Sequence, residues 1–208
     1  MMRAADFHAP SRLLPLPSLS GSFPTCLFRL VLCAAALLFY TCAAGAVELH
    51  GRVVGVSDGD TITVLDATRS PHKIRLAGID APEKNQPYGA RSKENLSALV
   101  FGKPVVVVWQ KRDRYGRILG HVLVLVPGTC GRPDCARLED AGLEQVESGL
   151  AWHYKRYQNE QTPDERRRYA RVEQDARAKR VGLWRDTHPV PPWEYRVSQR
   201  VSAERRRS

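Results

Sequence analysis

The stretch "SDGDTITV", residues 57–64, sets two carboxylates, Asp58 and Asp60, on either side of one glycine and runs directly into an alternating apolar segment. Alternation with period two reads as a strand with one face in a core, because successive side chains point to opposite faces. Asp58-Gly59 is a frequent hairpin dipeptide, so a turn that opens the strand accounts for the first acid. It leaves Asp60 unexplained, and the question is whether that carboxylate is held there for chemistry.

Working outward, "ELHGRVVGV" (48–56), "TITVLDAT" (61–68), "HKIRLAGI" (72–79), "PVVVVWQK" (104–111) and "RILGHVLVLV" (117–126) are rich in β-branched residues and bounded by Gly, Pro or Asp. They predict five short strands. Between the third and fourth, "YGARSKENLSALVFG" (88–102) has Leu96, Leu99 and Val100 at helical spacing and a glycine stop. From Leu138, "LEDAGLEQVESGLAW" and then "TPDERRRYARVEQDARAKRVGLW" predict two more helices, the second capped by Thr162 with Pro163 at its first position. The end, "HPVPPWEYRVSQRVSAERRRS" (188–208), reads as an extended, proline-broken arm with a disordered basic tip. A parallel sheet needs a crossover helix after nearly every strand, which this order lacks. The expected class is therefore α+β, mainly β: a five-stranded OB-type Greek-key barrel with three helices.

The chain has 208 residues, with 32 Lys and Arg against 22 Asp and Glu, a formal charge of +10 that favours a polyanionic partner. At the N-terminus a basic segment precedes "LVLCAAALLFYTCAAGA", whose apolar part is short for a membrane span and ends in Ala44-Gly45-Ala46. Residues 1–46 read as a signal peptide cleaved before Val47, with an uncleaved anchor as the competing reading. The organisation that follows is a leader (1–46), a barrel domain (47–187) and the tail (188–208). Removing the leader takes away three arginines and one aspartate, so the mature chain stays basic. It also removes Cys26, Cys33 and Cys42, leaving Cys130 and Cys135 in a short Gly/Pro loop. In an oxidising compartment that pair reads as a disulfide, since zinc would need further ligands.

A second acidic cluster, "GIDAPE" (78–83), follows the third strand and carries Asp80 and Glu83. By itself it too could be a proline turn. Hard cations take carboxylate and carbonyl oxygens from separate segments, so Asp60 and Asp80 at neighbouring strand ends could share one ion, leaving Glu83 free as a base. Arg75 and Arg117 could each be a solvated strand charge; together they offer guanidinium groups that match phosphate bidentately. Strict alternation puts Arg75 and Asp80 on opposite faces, unless Gly78 permits a bulge.

"DGDT", "IRLAGIDAPE", "DRYGR", "GLAW" and "GLW", in this order between Gly51 and Trp184, resemble the thermonuclease (micrococcal-nuclease-like) family. The resemblance implies an OB barrel with three helices and a Ca²⁺-dependent endonuclease that cuts DNA and RNA to 3′-phosphate ends. It implies Asp60 and Asp80 as calcium carboxylates, the Ala81 backbone carbonyl as a further metal ligand, Glu83 as the residue that activates water, and Arg75 and Arg117 as phosphate clamps. Tyr115 and Tyr157 look like nucleotide contacts of the family, though rim tyrosines are often packing residues. Asp58 reads equally as a turn residue or as a carboxylate tuning the metal. The segment 127–142 departs from the family pattern, which has a shorter connection.

His72, His121 and His153 form no pair with metal spacing and read as core or surface histidines; Trp109, Trp152 and Trp184 read as packing anchors. The competing function class is a non-catalytic OB module that binds nucleic acid through its charge. Such a module has no reason to keep Asp60, Arg75, Asp80, Glu83 and Arg117 together. The expectation is thus a monomeric, secreted or periplasmic enzyme with nucleic acid as its partner, no stable protein partner and no membrane association after cleavage. Mass spectrometry of exported material should place the mature N-terminus at or near Val47; a full-length chain in the membrane fraction would contradict the leader.

Overall fold

The computed structural model describes residues 47–127 and 136–207. The leader and both Cys130 and Cys135 lie outside the described residues, and so does half of the 127–142 departure. Five strands occur where the alternation puts them: β1 (Val47–Val56), β2 (Thr61–Asp66), β3 (Pro71–Leu76), β5 (Pro104–Arg112) and β6 (Ile118–Pro127), with a two-residue β4 (Ile79–Asp80) between. The order β3-β2-β1-β5-β6 is antiparallel throughout, and a parallel pairing of β3 with the start of β6 closes the barrel. Ile62, Val64, Ile74, Leu76, Val107, Ile118 and Val122 fill its interior, and Val105 and Val124 carry the buried alternation toward the strand ends. The barrel is the expected OB-type one.

Helix α1 (Gly89–Val100) lies between the third and fourth long strands, as its spacing predicts. Its buried stripe is Gly89, Ser92, Leu96 and Val100, four residues wide along one face. Helix α3 (Pro163–Ala178) begins with the expected cap: the Thr162 hydroxyl accepts from the Glu165 N–H while the Glu165 carboxylate accepts from the Thr162 N–H.

Three expectations are corrected. Residues from Leu138 do not start a helix. Ala136–Asp140 form strand β7 on the outer half of β6, and helix α2 (Ala141–Glu147) begins only afterwards. The reason is local: Leu125 pairs with Leu138, and Asp140 ends the strand by accepting from the Gly142 N–H as an N-cap. Second, a short strand β8 (Trp152–His153) pairs with β4. Third, the tail is not an extended arm: Pro192–Arg205 form helix α4. Prolines break helices from within, but Pro192 stands at the first helical position, where a missing N–H costs nothing and a fixed φ is already helical.

His121 on β6 sets Nδ1 3.1 Å from Asp140 Oδ2 and Nε2 3.6 Å from Glu165 Oε1, while the Tyr169 hydroxyl donates to the same Asp140 oxygen at 2.7 Å. Burial pushes the His121 pKa down, but the hydrogen bond and charge of Asp140, with Glu165, outweigh it and leave His121 above its ordinary value. Burial likewise raises Asp140, and its bonds to His121, Tyr169 and Gly142 reverse the sign. Protonated His121 therefore contributes stability in full below about pH 6.5, and that contribution is lost as pH rises through its raised folded pKa. Asp140 contributes above its unfolded value and fails in acid. Urea unfolding should accordingly give a midpoint that falls from pH 6 toward pH 9, and His121→Gln should flatten that fall.

Candidate active site

Strand register collects the site at one end of the barrel. Thr61 stands opposite Arg75 across β2 and β3, and Arg75 stands opposite Leu119 across β3 and β6. Asp60, just before β2, and Arg117, just before β6, are thus carried to the same rim as Arg75. Leu76 N–H donates to the Asp60 carbonyl at 2.8 Å and fixes that end of the loop.

Arg75 joins the two acidic motifs. Its Nη1 donates to Asp60 Oδ1 at 2.9 Å and its Nη2 to Asp80 Oδ1 at 2.7 Å. The conflict between Arg75 and Asp80 over faces is resolved by a turn at Ala77-Gly78 rather than a bulge: Gly78 adopts φ +76°, and β4 resumes in a new direction. Asp60 is further held by the Thr61 hydroxyl at 2.9 Å and the Ala81 N–H at 3.2 Å, so Ala81 reaches the cluster through its backbone. Both acids are buried, Asp80 completely. Burial raises the Asp80 carboxyl above its ordinary value against the pull of its arginine partners. The same burial lowers Arg75, but the charges of Asp60 and Asp80 more than reverse it, and Arg75 stays firmly protonated.

The loop carrying these acids is pinned from behind. A Cβ on Gly59 would sit 1.9 Å from Ser92 Oγ and 2.8 Å from the Ala81 methyl, so glycine is demanded by the close approach of α1 rather than by a hairpin conformation. Gln145 on α2, fully buried, donates to the Gly59 carbonyl at 2.7 Å and to the Ser92 carbonyl at 3.0 Å. Ser92 in turn donates to the Leu150 carbonyl at 2.7 Å. Asp58 accepts from the Asp60 N–H at 3.1 Å in a local turn, and burial with the neighbouring Asp60 charge pushes its carboxyl up to about 6. Ser92 and Gln145 were missed in the sequence; the available signal was a polar residue at a core-facing position of each helix.

The remaining candidates divide. Glu83, in the turn after Pro82, is more open than either aspartate, at 41% side-chain exposure, and its loop is folded by Gln86, whose side chain accepts from the Glu83 N–H at 3.1 Å. Gly89 packs against this turn so closely that a Cβ would lie 2.0 Å from the Glu83 carbonyl oxygen. Arg117 points its Nε to Asp113 Oδ2 at 2.8 Å and its Nη1 toward the Thr61 hydroxyl at 3.4 Å, one hydroxyl away from Asp60. Burial raises Asp113, yet its bonds to Arg117 and to the turn N–H groups leave it below the ordinary range. Tyr115 is 73% exposed, with the Arg114 and Arg117 guanidiniums each 5.5 Å from its ring. Tyr157 is also exposed, and its ring meets Tyr154 edge-on at 5.3 Å. The further residue that sequence reading missed is Arg196 of α4, which binds both Asp80 and Glu83.

The arrangement offers oxygen donors. Among the described residues no group of three or more His, Cys, Asp or Glu side chains is disposed to hold a metal ion. Two buried carboxylates with neither thiolate nor imidazole beside them fit a hard, oxygen-preferring cation that completes its shell with backbone carbonyl, water and phosphate.

The sequence matches the family described as staphylococcal nuclease homologue over residues 73–186. It is 42% identical over 170 residues to the protein named ParB of Escherichia coli, covering 81% of this chain and 92% of that one. It is 36% identical over 163 residues to a micrococcal nuclease of Shigella flexneri, covering 78% and 89%. Against an uncharacterized endonuclease of Haemophilus influenzae it is 35% identical over 175 residues, covering 84% and 88%. With barrel, arginine-linked acids and near full-length relatives in agreement, the chain belongs to the staphylococcal nuclease homologue family and is a nuclease that hydrolyses phosphodiester bonds.

Proposed function

We propose that this nuclease is an exported, calcium-dependent endonuclease that cleaves both DNA and RNA and leaves 3′-phosphate ends. The observation that carries the reading is the Arg75 fork, which brings the buried Asp60 and Asp80 together at the barrel rim beside the open Glu83. Asp60 and Asp80 would hold the ion, with the Ala81 carbonyl as a further donor. Its chemistry there is to neutralise charge on the phosphate oxygens.

The protein's own residues do the rest. Glu83, the most solvent-open acid of the set, takes the proton of the attacking water; the water oxygen bonds to phosphorus as the bond to the 5′ oxygen breaks, and that oxygen takes up a proton from solvent. Arg75, through the N–H groups that its bonds to Asp60 and Asp80 leave over, and Arg117, by exchanging Asp113 for phosphate, supply guanidinium charge where phosphate charge accumulates. Tyr115, exposed and next to Arg117, offers a ring for a flanking nucleotide, and the exposed Tyr157 offers a second. A grip on phosphate and a stacking ring read neither 2′-hydroxyl nor base edge, which favours action on both nucleic acids. Nothing in this assembly requires a second copy of the chain or a protein partner.

Glu83→Gln should reduce kcat by about 10²- to 10⁴-fold with a small effect on KM, the usual worth of a positioned base. Arg75→Lys and Arg117→Lys should also act mainly on kcat, since lysine keeps the charge and loses the fork. Steady-state cleavage of plasmid and RNA checks this, with circular dichroism to confirm the fold; turnover like wild type in all three variants would contradict the assignment. Chelator should abolish cleavage, Ca²⁺ should restore it, and Mg²⁺ should restore it poorly, because its short, strictly octahedral shell misplaces phosphate and water. Equal rates with the two ions would contradict the calcium reading.

A further inference from the structure

Helix α4 places a third guanidinium on the acids. Arg196 Nη2 donates to Asp80 Oδ2 at 2.6 Å and Nη1 to Asp80 Oδ1 at 3.2 Å, and the same Nη1 reaches Glu83 Oε1 at 2.7 Å. One fork therefore spans both oxygens of a carboxylate suited to a cation and the side chain suited to activate water. The start of the helix is anchored independently of Arg196. Trp193 stacks on Tyr154 at 5.5 Å and meets Trp152 edge-on at 5.6 Å, and the Tyr195 hydroxyl donates to the Asn85 carbonyl at 3.0 Å. Just upstream, the Val190 carbonyl accepts from Gln86 Nε2 at 2.6 Å. Arg196 is thus delivered to the acids by a docked helix turn.

We propose that Arg196 is a built-in cation that competes with the divalent ion for Asp80 and masks Glu83, so that loading the metal and lifting Arg196 off both carboxylates are one exchange. The inference rests on the reading of Asp60 and Asp80 as metal ligands. Four carboxylates, Asp58, Asp60, Asp80 and Glu83, stand around two guanidiniums, Arg75 and Arg196, while Arg117 is engaged by Asp113. A divalent ion on Asp60 and Asp80 competes with these guanidiniums for the same carboxylate oxygens and repels them at close range in a poorly solvated place, so one guanidinium gives way. Arg196 is the one placed to leave: its side chain is 32% exposed against 18% for Arg75, which is locked on a central strand between two acids. An ion at 2.3–2.6 Å also needs the Asp80 lone pairs that Arg196 uses. Because the contact includes Glu83, an enzyme without its metal has one oxygen of its base tied to Arg196 as well, and metal binding and release of that oxygen are reciprocally linked.

Calorimetric titration of the purified protein with Ca²⁺ alone, without nucleic acid, tests this. Arg196→Gln should bind Ca²⁺ about tenfold or more tightly than wild type, and Arg196→Lys, which keeps the charge and loses the fork, should fall between. Melting curves establish that each variant is folded, and the lysine variant carries the test if the glutamine variant is not. Equal or weaker binding in the folded variants overturns the exchange while leaving the metal site intact. Failure of wild type and variants alike to bind Ca²⁺ overturns the exchange together with the metal reading beneath it.

Discussion

Two buried aspartates at one barrel rim repel each other and lose their hydration, and the Arg75 guanidinium is what allows them to coexist. An unpaired charge in such a place costs several kcal/mol, whereas a planar fork satisfies one oxygen of each acid at hydrogen-bond distance. Everything around the site follows from holding that triangle. The β2–β3 register sets Thr61 against Arg75, the turn at Gly78 swings Asp80 back toward it, and the parallel β3–β6 pairing that closes the barrel brings Arg117 to the same edge.

The helices serve the same constraint from outside the barrel. Gln145 of α2 bonds to Ser92 of α1 and to the Gly59 carbonyl, and Ser92 bonds to the Leu150 carbonyl, so the acidic loop is held by groups outside the cluster of acids. Such support keeps reacting groups within the fractions of an ångström that catalysis requires. The C-terminal segment braces the Glu83 turn through Gln86 and Asn85, and Arg196 closes over the acids. The rim is therefore assembled from almost the whole described chain, from Asp58 to Arg196.

Much of this was legible in the sequence, for physical reasons. Strict alternation around Ile62, Val64, Ile74 and Leu76 could only be strands with one buried face, and Thr162-Pro163 could only begin a helix. Asp60, Arg75, Asp80 and Glu83 stood out because a turn or a surface accounts for one of them and not for the set. What stayed hidden depends on contacts between distant segments. Gly59 looked like a hairpin glycine and is instead a packing glycine, which only the position of Ser92 reveals. Leu138–Asp140 has helical spacing, yet a free edge on β6 recruits it as a strand. Pro189 to Pro192 looked like the end of structure, whereas Pro192 starts a helix whose stability comes from Trp193 docking on Tyr154 and Trp152. A charged helix with few apolar residues gives no sequence signal of that docking, and so Arg196 escaped notice.

The central claim is that the Arg75-linked aspartates form the cation site at which phosphate is cleaved. A crystal structure of the protein with Ca²⁺ and a non-hydrolysable phosphodiester tests it most directly. The account predicts an ion within about 2.3–2.6 Å of oxygens from both Asp60 and Asp80, sharing a phosphate oxygen, with Glu83 facing the phosphorus opposite the 5′ oxygen. Calcium bound elsewhere, or phosphate seated away from Asp60 and Asp80, would contradict it.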